Sequence, residues 1–112
     1  MLTCKRQDRA TVVILALAGN LDALTVVGIK AEIERIVSER TKACVLDVTG
    51  VLLVDSTGVG SIISLFKRLR AQGGDLKVAG VNGQPKEIFD LLRLERALDL
   101  QPSVDEAIAT FR

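Results

Sequence analysis

The chain has 112 residues, enough for one hydrophobic core and too few for two. It carries 15 Lys and Arg against 14 Asp and Glu, a net charge of +1, and its only aromatic residues are three Phe. That balance lacks the clustered basic charge of a nucleic-acid binder and the stacking platforms of a single-strand binder. The absence of histidine removes His-based general bases, Ser-His-Asp triads and His metal ligands.

The chain opens on Met1-Leu2-Thr3-Cys4-Lys5-Arg6, without the apolar region of a signal peptide. No apolar stretch approaches the ~20 residues of a membrane span. Leu2 and Cys4 alternate with Thr3 and Lys5, which predicts a short edge strand, and Gln7-Asp8-Arg9 predicts a turn. Thr11 to Ala18 is almost wholly apolar and rich in β-branched residues, the pattern of a strand buried on both faces. So short a connection joins these two strands as an antiparallel hairpin.

Gly19-Asn20-Leu21-Asp22 is expected to break the second strand, with Asp22 as a turn residue and Thr25 capping the helix that follows. Val26, Ile29, Ile33, Ile36 and Val37 mark one face of that helix to about Glu39. Cys44 to Val48 is the next strand, parallel to the previous one across the helical crossover. Thr49-Gly50 is expected to interrupt it, and Val51 to Val54 then leads to Asp55-Ser56-Thr57-Gly58-Val59-Gly60.

The helix leaving that hexapeptide has a stripe of Val59, Ile62, Ile63, Phe66 and Leu69. Leu65 lies on the flank of the stripe and is assigned to partial core. Basic residues Lys67, Arg68 and Arg70 suit the helix end, and Gly73-Gly74 supplies a left-handed stop. Asp75 to Ala79 alternates, predicting a strand with one wetter face. Gly80 to Gly83 predicts a loop, and Pro85 sits in the first turn of a helix whose apolar side is Ile88, Phe89, Leu91 and Leu92. Leu94 to Gln101 is ambiguous, with a short strand at Leu98 and Leu100 as one reading. Ser103-Val104-Asp105-Glu106 has capping-box spacing and opens a last helix carrying Val104, Ala107, Ile108 and Phe111. Cys4 and Cys44, far apart and in strand-like stretches, read as reduced core thiols.

The order ββαβαβα, with a possible further strand and a final helix, is an α/β domain with a mixed sheet of four to five strands and about four helices. Both Gly19–Thr25 and Val51–Gly60 leave a strand and enter a helix, so both open on the carboxyl edge of the sheet, where sites gather. Asp22 is thereby expected near Ser56.

The hexapeptide admits several readings. A helix cap accounts for one of Asp55, Ser56 and Thr57. A Walker loop fails because no lysine follows until Lys67, and the dinucleotide fingerprint fails because Ile63 stands at the third glycine position. A nucleophilic Ser56 lacks the G-x-S-x-G frame and a histidine. What remains is an exposed helix N-terminus that favours an anion and places a phosphorylatable hydroxyl there.

Asp55-Ser56-Thr57-Gly58-Val59-Gly60 resembles the D-S-[S/T]-G-x-G signature of STAS domains, specifically the bacterial anti-sigma factor antagonists. Gly19-Asn20-Leu21-Asp22-Ala23-Leu24-Thr25 is similar to their earlier G-x-L-D-x-x-T stretch. The resemblance implies a single STAS domain over residues 1–112. It implies that the unphosphorylated chain binds an anti-sigma factor, itself a serine kinase of the GHKL ATPase class, and frees the sigma factor. The kinase then phosphorylates Ser56 and a PPM-type phosphatase reverses this. Asp22 and Thr25 would face the partner, and Asp55, Thr57 and Gly58 would shape the acceptor site. ATP belongs to the partner. The chain would be a cytoplasmic regulator, with no cofactor, metal, nucleic acid or membrane of its own. Asn20 stands where the family often has an acid, and Ala23-Leu24 where it often has polar residues. The rival reading keeps the fold but makes the chain an accessory subunit of a transporter or signalling complex.

Overall fold

The computed structural model describes residues 1–111. Five strands form one sheet in the order β1-β2-β3-β4-β5: β1 (Leu2–Arg9), β2 (Val12–Leu21), β3 (Ala43–Val54), β4 (Asp75–Ala79) and β5 (Asp99–Gln101). The β1–β2 pair is antiparallel and the other three pairs are parallel. Four helices complete the fold: α1 (Lys30–Ser38), α2 (Ser56–Ala71), α3 (Gly83–Leu91) and α4 (Val104–Thr110). The mixed five-stranded sheet with four helices is the expected STAS-type architecture.

The main core lies on one face of the sheet. There Leu15, Leu46 and Val78 meet Ile33 and Ile36 of α1, Val59, Ile62, Leu65 and Leu69 of α2, and Phe89 of α3. The other face is covered more thinly, by Ala107 of α4 against Val12, Ile14, Val45 and Ala79. The buried β2 thus uses both faces, as its unbroken apolar run requires.

Several boundaries differ from the sequence expectation. Gln7-Asp8-Arg9 continues β1 instead of turning. Arg6 holds Asp8 and Glu39, and Arg9 reaches Asp105, so ion pairs keep these polar residues extended. The turn is Ala10-Thr11, with Ala10 left-handed at φ +52°. Gly19-Asn20-Leu21 does not break β2, and Thr49-Gly50 does not interrupt β3. The two strands stay paired to Leu21↔Val54 through register irregularities. Gly50 makes this possible, since a Cβ there would lie 2.8 Å from that of Ala18.

The helix expected from Thr25 starts as a 3-10 turn, Val26–Ile29, and becomes α-helical only at Lys30. The stripe of α2 is rotated from the expected one: Leu65 is 1% exposed and fully core, whereas Ile63 and Phe66 are half-buried beside it. The core-facing line is therefore Val59, Ile62, Leu65 and Leu69, spaced as a helix turn requires. Gly73 at φ +83° ends α2, with the Gly74 N–H donating to Leu69 O and that of Gly73 to Arg70 O.

Lys77 was expected on a wetter face and is instead buried. It pairs with Asp99 and lies 4.9 Å from the ring centre of Phe111. Leu91 and Leu92 are exposed rather than apolar contacts of α3. The chain leaves α3 through a left-handed Arg93, and Leu94 and Leu98 fill the core in their place. The ambiguous stretch resolves into a 3-10 turn, Leu94–Arg96, followed by β5. Ser103 caps α4 by accepting from the Glu106 N–H. Cys44 is buried, and burial pushes its thiol up to about 12. Cys4 is only half-buried.

Candidate functional site

Asp55 organises the carboxyl edge of the sheet. It is extended (φ −110°, ψ −176°) and caps α2, with Oδ1 accepting from the Gly58 N–H at 2.8 Å. Its Oδ2 accepts from the Ala23 N–H at 3.1 Å, and its own N–H donates to Leu21 O at 3.3 Å. One side chain thus caps the helix and ties the β2–α1 loop to it. Of the three residues with capping chemistry, Asp55 takes the role, which leaves Ser56 and Thr57 free for another.

Gly58 explains why the two loops come so close. It is buried, and a Cβ there would stand 2.3 Å from Leu21 O. Only a residue without a side chain lets the first turn of α2 lie on the end of β2. Gly60 in the same hexapeptide faces open space.

The β2–α1 loop is held by its own residues. Asp22 Oδ1 accepts from the N–H groups of Leu24 and Thr25, both at 3.0 Å. Those two amides hold the Asp22 carboxyl below its usual range, the Thr25 amide most. Thr25 does not cap a helix with its side chain as expected. Its hydroxyl donates to Asn20 O at 2.7 Å and accepts from the Asp22 N–H at 3.0 Å, closing the loop on itself. Thr25 therefore positions Asp22, and is itself only partly exposed.

Ser56 is the first residue of α2 and is exposed, and its hydroxyl has no hydrogen-bond partner among the described residues. Thr57 follows it, also exposed. At the start of a 16-residue helix, the N–H groups of Ser56 and Thr57 precede the first intrahelical donors. The expected juxtaposition is therefore present: Asp22, Asp55 and Ser56 share one edge through the Asp55–Ala23 bond. Leu24 (88% exposed) and Val27 (71%) stand out from the same loop.

Gln84 joins this edge and was not singled out in the sequence. Beyond the last β3–β4 pair, Asp47↔Ala79, the end of β3 has no strand neighbour on that side. The Gln84 amide substitutes for one, accepting from Val54 N–H at 2.9 Å and donating to Val54 O at 3.1 Å. It fixes the residue immediately before Asp55. A glutamine in a helix first turn carries no signal of such a role, because the bond depends on where β4 stops.

Removing Asp55 tests the joint directly. Asp55→Ala loses the cap and the loop tie, and urea unfolding should show it about 1–2 kcal/mol less stable. Asp55→Asn keeps an oxygen for Gly58 but sets an NH2 group against the Ala23 N–H, so it should fall between the two.

The sequence matches the STAS domain family over residues 3–107. The chain belongs to that family. Among curated relatives, an anti-sigma-B factor antagonist of Listeria monocytogenes is 27% identical over 84 residues, covering 75% of this chain and 74% of that one. In fold the chain is similar to an anti-sigma factor antagonist from Mycobacterium paratuberculosis. The TM-score is 0.89 at 21% identity, over 97% of this chain and 92% of the other. It is also similar to the Bacillus cell fate determinant SpoIIAA in its phosphorylated form. There the TM-score is 0.77 at 20% identity, over 98% and 100% of the two chains. No helix among the described residues is long and apolar enough to cross a membrane.

Proposed function

We propose that this STAS domain is an anti-sigma factor antagonist whose binding is switched off by phosphorylation of Ser56. One observation carries the reading: Ser56 is the exposed, unbonded hydroxyl at the start of α2, beside a loop tied there by Asp55. The unphosphorylated chain binds an anti-sigma factor, a serine kinase of the GHKL class, and so frees the sigma factor. Asp22, Leu24, Asp55 and Thr57 surround the acceptor on the face that the partner reads. Thr25 and Gly58 set the geometry of that face.

The kinase transfers the terminal phosphoryl group of its ATP to the Ser56 oxygen: the bond to ADP breaks, ADP leaves, and the serine proton passes to a base of the kinase. Phosphoserine brings about −1.5 to −2 charges. A helix N-terminus accommodates such charge without refolding. The switch therefore acts outward, on the partner surface, and a PPM-type phosphatase resets it. The relatives' names support an anti-sigma factor as the partner, and a cytoplasmic setting goes with that reading.

Mass spectrometry tests the acceptor. After incubation with the host's anti-sigma factor kinases and ATP, the wild-type chain should carry one phosphate, on Ser56. The Ser56→Ala chain should carry none and still bind the kinase. A phosphate on another residue, or none on the wild-type chain, overturns the assignment.

A further inference from the structure

The two edges of the sheet are unequal. β5, at one edge, has three residues, which gives another chain little to pair with. β1, at the other, has eight, holds no proline, and pairs with β2 without a bulge from Leu2↔Gly19 to Arg9↔Val12. Edges that stay unpaired are guarded by shortness, proline, bulges or charge. Only charge is available to β1, and much of it is engaged within the chain: Arg6 is held by Asp8 and Glu39, and Arg9 by Asp105.

The pairing fixes which backbone groups face outward. The Asn20 N–H donates to Met1 O at 3.1 Å, so the odd-numbered residues of β1 bond inward to β2. The N–H and C=O groups of Leu2, Cys4, Arg6 and Asp8 therefore point away from the sheet, where they form no backbone bond among the described residues. The side chains divide by the same parity. Leu2 and Cys4 pack toward the core, while Thr3, Lys5 and Gln7 are exposed on the opposite face.

We infer that β1 is a homodimer edge: two copies join β1 to β1, antiparallel, about a two-fold axis at Cys4, and two five-stranded sheets become one of ten. Charge chooses the register. A continuous sheet sets outward-bonding residues opposite one another, which puts the axis on a single residue. An axis at Lys5, Arg6 or Asp8 sets that charge against its own copy, and one at Gln7 sets Lys5 against Arg9. An axis at Thr3 opposes no like charges but uses only Leu2–Cys4 of the strand. An axis at Cys4 uses Leu2–Arg6, sets Lys5 against Thr3 and Arg6 against Leu2, and opposes no like charges. Leu2 with Arg6, Cys4 with Cys4 and Arg6 with Leu2 then exchange their outward N–H and C=O groups. The axis reverses strand direction, so the two Ser56 edges point to opposite ends of the dimer and both stay open.

Sedimentation equilibrium of the full chain tests this. The wild-type chain should dimerise with a Kd of about 10–100 μM, as suits a small edge interface. Thr3→Lys sets a lysine against Lys5 of the second copy, at two symmetric places, and should weaken the dimer about ten-fold. Thr3→Glu should tighten it by a similar factor. Lys5→Glu alone, facing Thr3, should change Kd by less than about two-fold, whereas Thr3→Lys combined with Lys5→Glu should return it to the wild-type value or below. Both side chains are exposed in the single chain, so thermal unfolding of the dilute protein should not follow this pattern. A chain that stays monomeric to about 1 mM overturns the inference and leaves the edge to a different protein. A dimer whose Kd ignores Thr3 and Lys5 overturns it too, because the copies then meet elsewhere.

Discussion

Gly58→Ala should unfold at a clearly lower urea concentration than wild type, with about 2–3 kcal/mol of stability lost. The added methyl carbon would sit 2.3 Å from Leu21 O and 2.8 Å from Val54 Cγ2. The first of these is backbone, so no rotamer change relieves it. Either α2 moves off the end of β2, or Leu21 moves and strains the pairing to Val54. Both responses pull on Asp55, whose N–H donates to the same Leu21 oxygen. The loss should therefore extend to function, because the β2–α1 loop and Ser56 part company.

Gly60→Ala is the matched control. It lies two residues on in the same helix, with nothing within 4 Å of its added carbon. There alanine should stabilise by about 0.5–1 kcal/mol, since it lowers the entropy of the unfolded chain and favours helix. Opposite signs at two glycines of one hexapeptide would separate a packing requirement from a helix-propensity effect. Equal and small effects at both would show that α2 does not press on β2 as described.

These two glycines look identical in the sequence, which marks where reading residues stops. The hexapeptide's position was legible, because an apolar run entering it and a helical period leaving it place it at a carboxyl edge. The neighbourhood of Asp22 and Ser56 followed from strand order alone. What was not legible is three-dimensional. Which residue caps α2 depends on a backbone turn at Asp55, and three adjacent residues had suitable side chains. Thr49-Gly50 read as a break, yet β3 runs through it because β2 is there to pair with, and Gly50 fits against Ala18. Leu65 looked marginal because the expected stripe was centred too near Ile63 and Phe66, and the sheet decides which arc is covered. Gln84 had no signal at all. Local pattern finds elements and their order; contacts between elements decide the details.

Ser56→Glu should leave the fold intact and reduce binding to the anti-sigma factor kinase by about 100-fold, equivalent to ~2.7 kcal/mol. On stability the sign is favourable or neutral. A carboxylate at the first position of α2 faces the positive end of the helix dipole, worth ~0.3–1 kcal/mol at an exposed site. Binding moves the other way. Asp22 and Asp55 already flank this position, and the amides of Leu24 and Thr25 keep Asp22 charged below its usual range. A third negative charge meets a partner surface that had accommodated two. Part of the loss should return at high salt, since exposed charges are screened over about 8–10 Å at physiological ionic strength. The phosphorylated wild-type chain should bind more weakly than Ser56→Glu, because phosphate carries about −1.5 to −2 charges where glutamate carries one. Ser56→Ala, lacking only an unbonded hydroxyl, should bind like wild type. A phosphorylated chain that binds the kinase as tightly as the unmodified one would rule out control by charge at this edge.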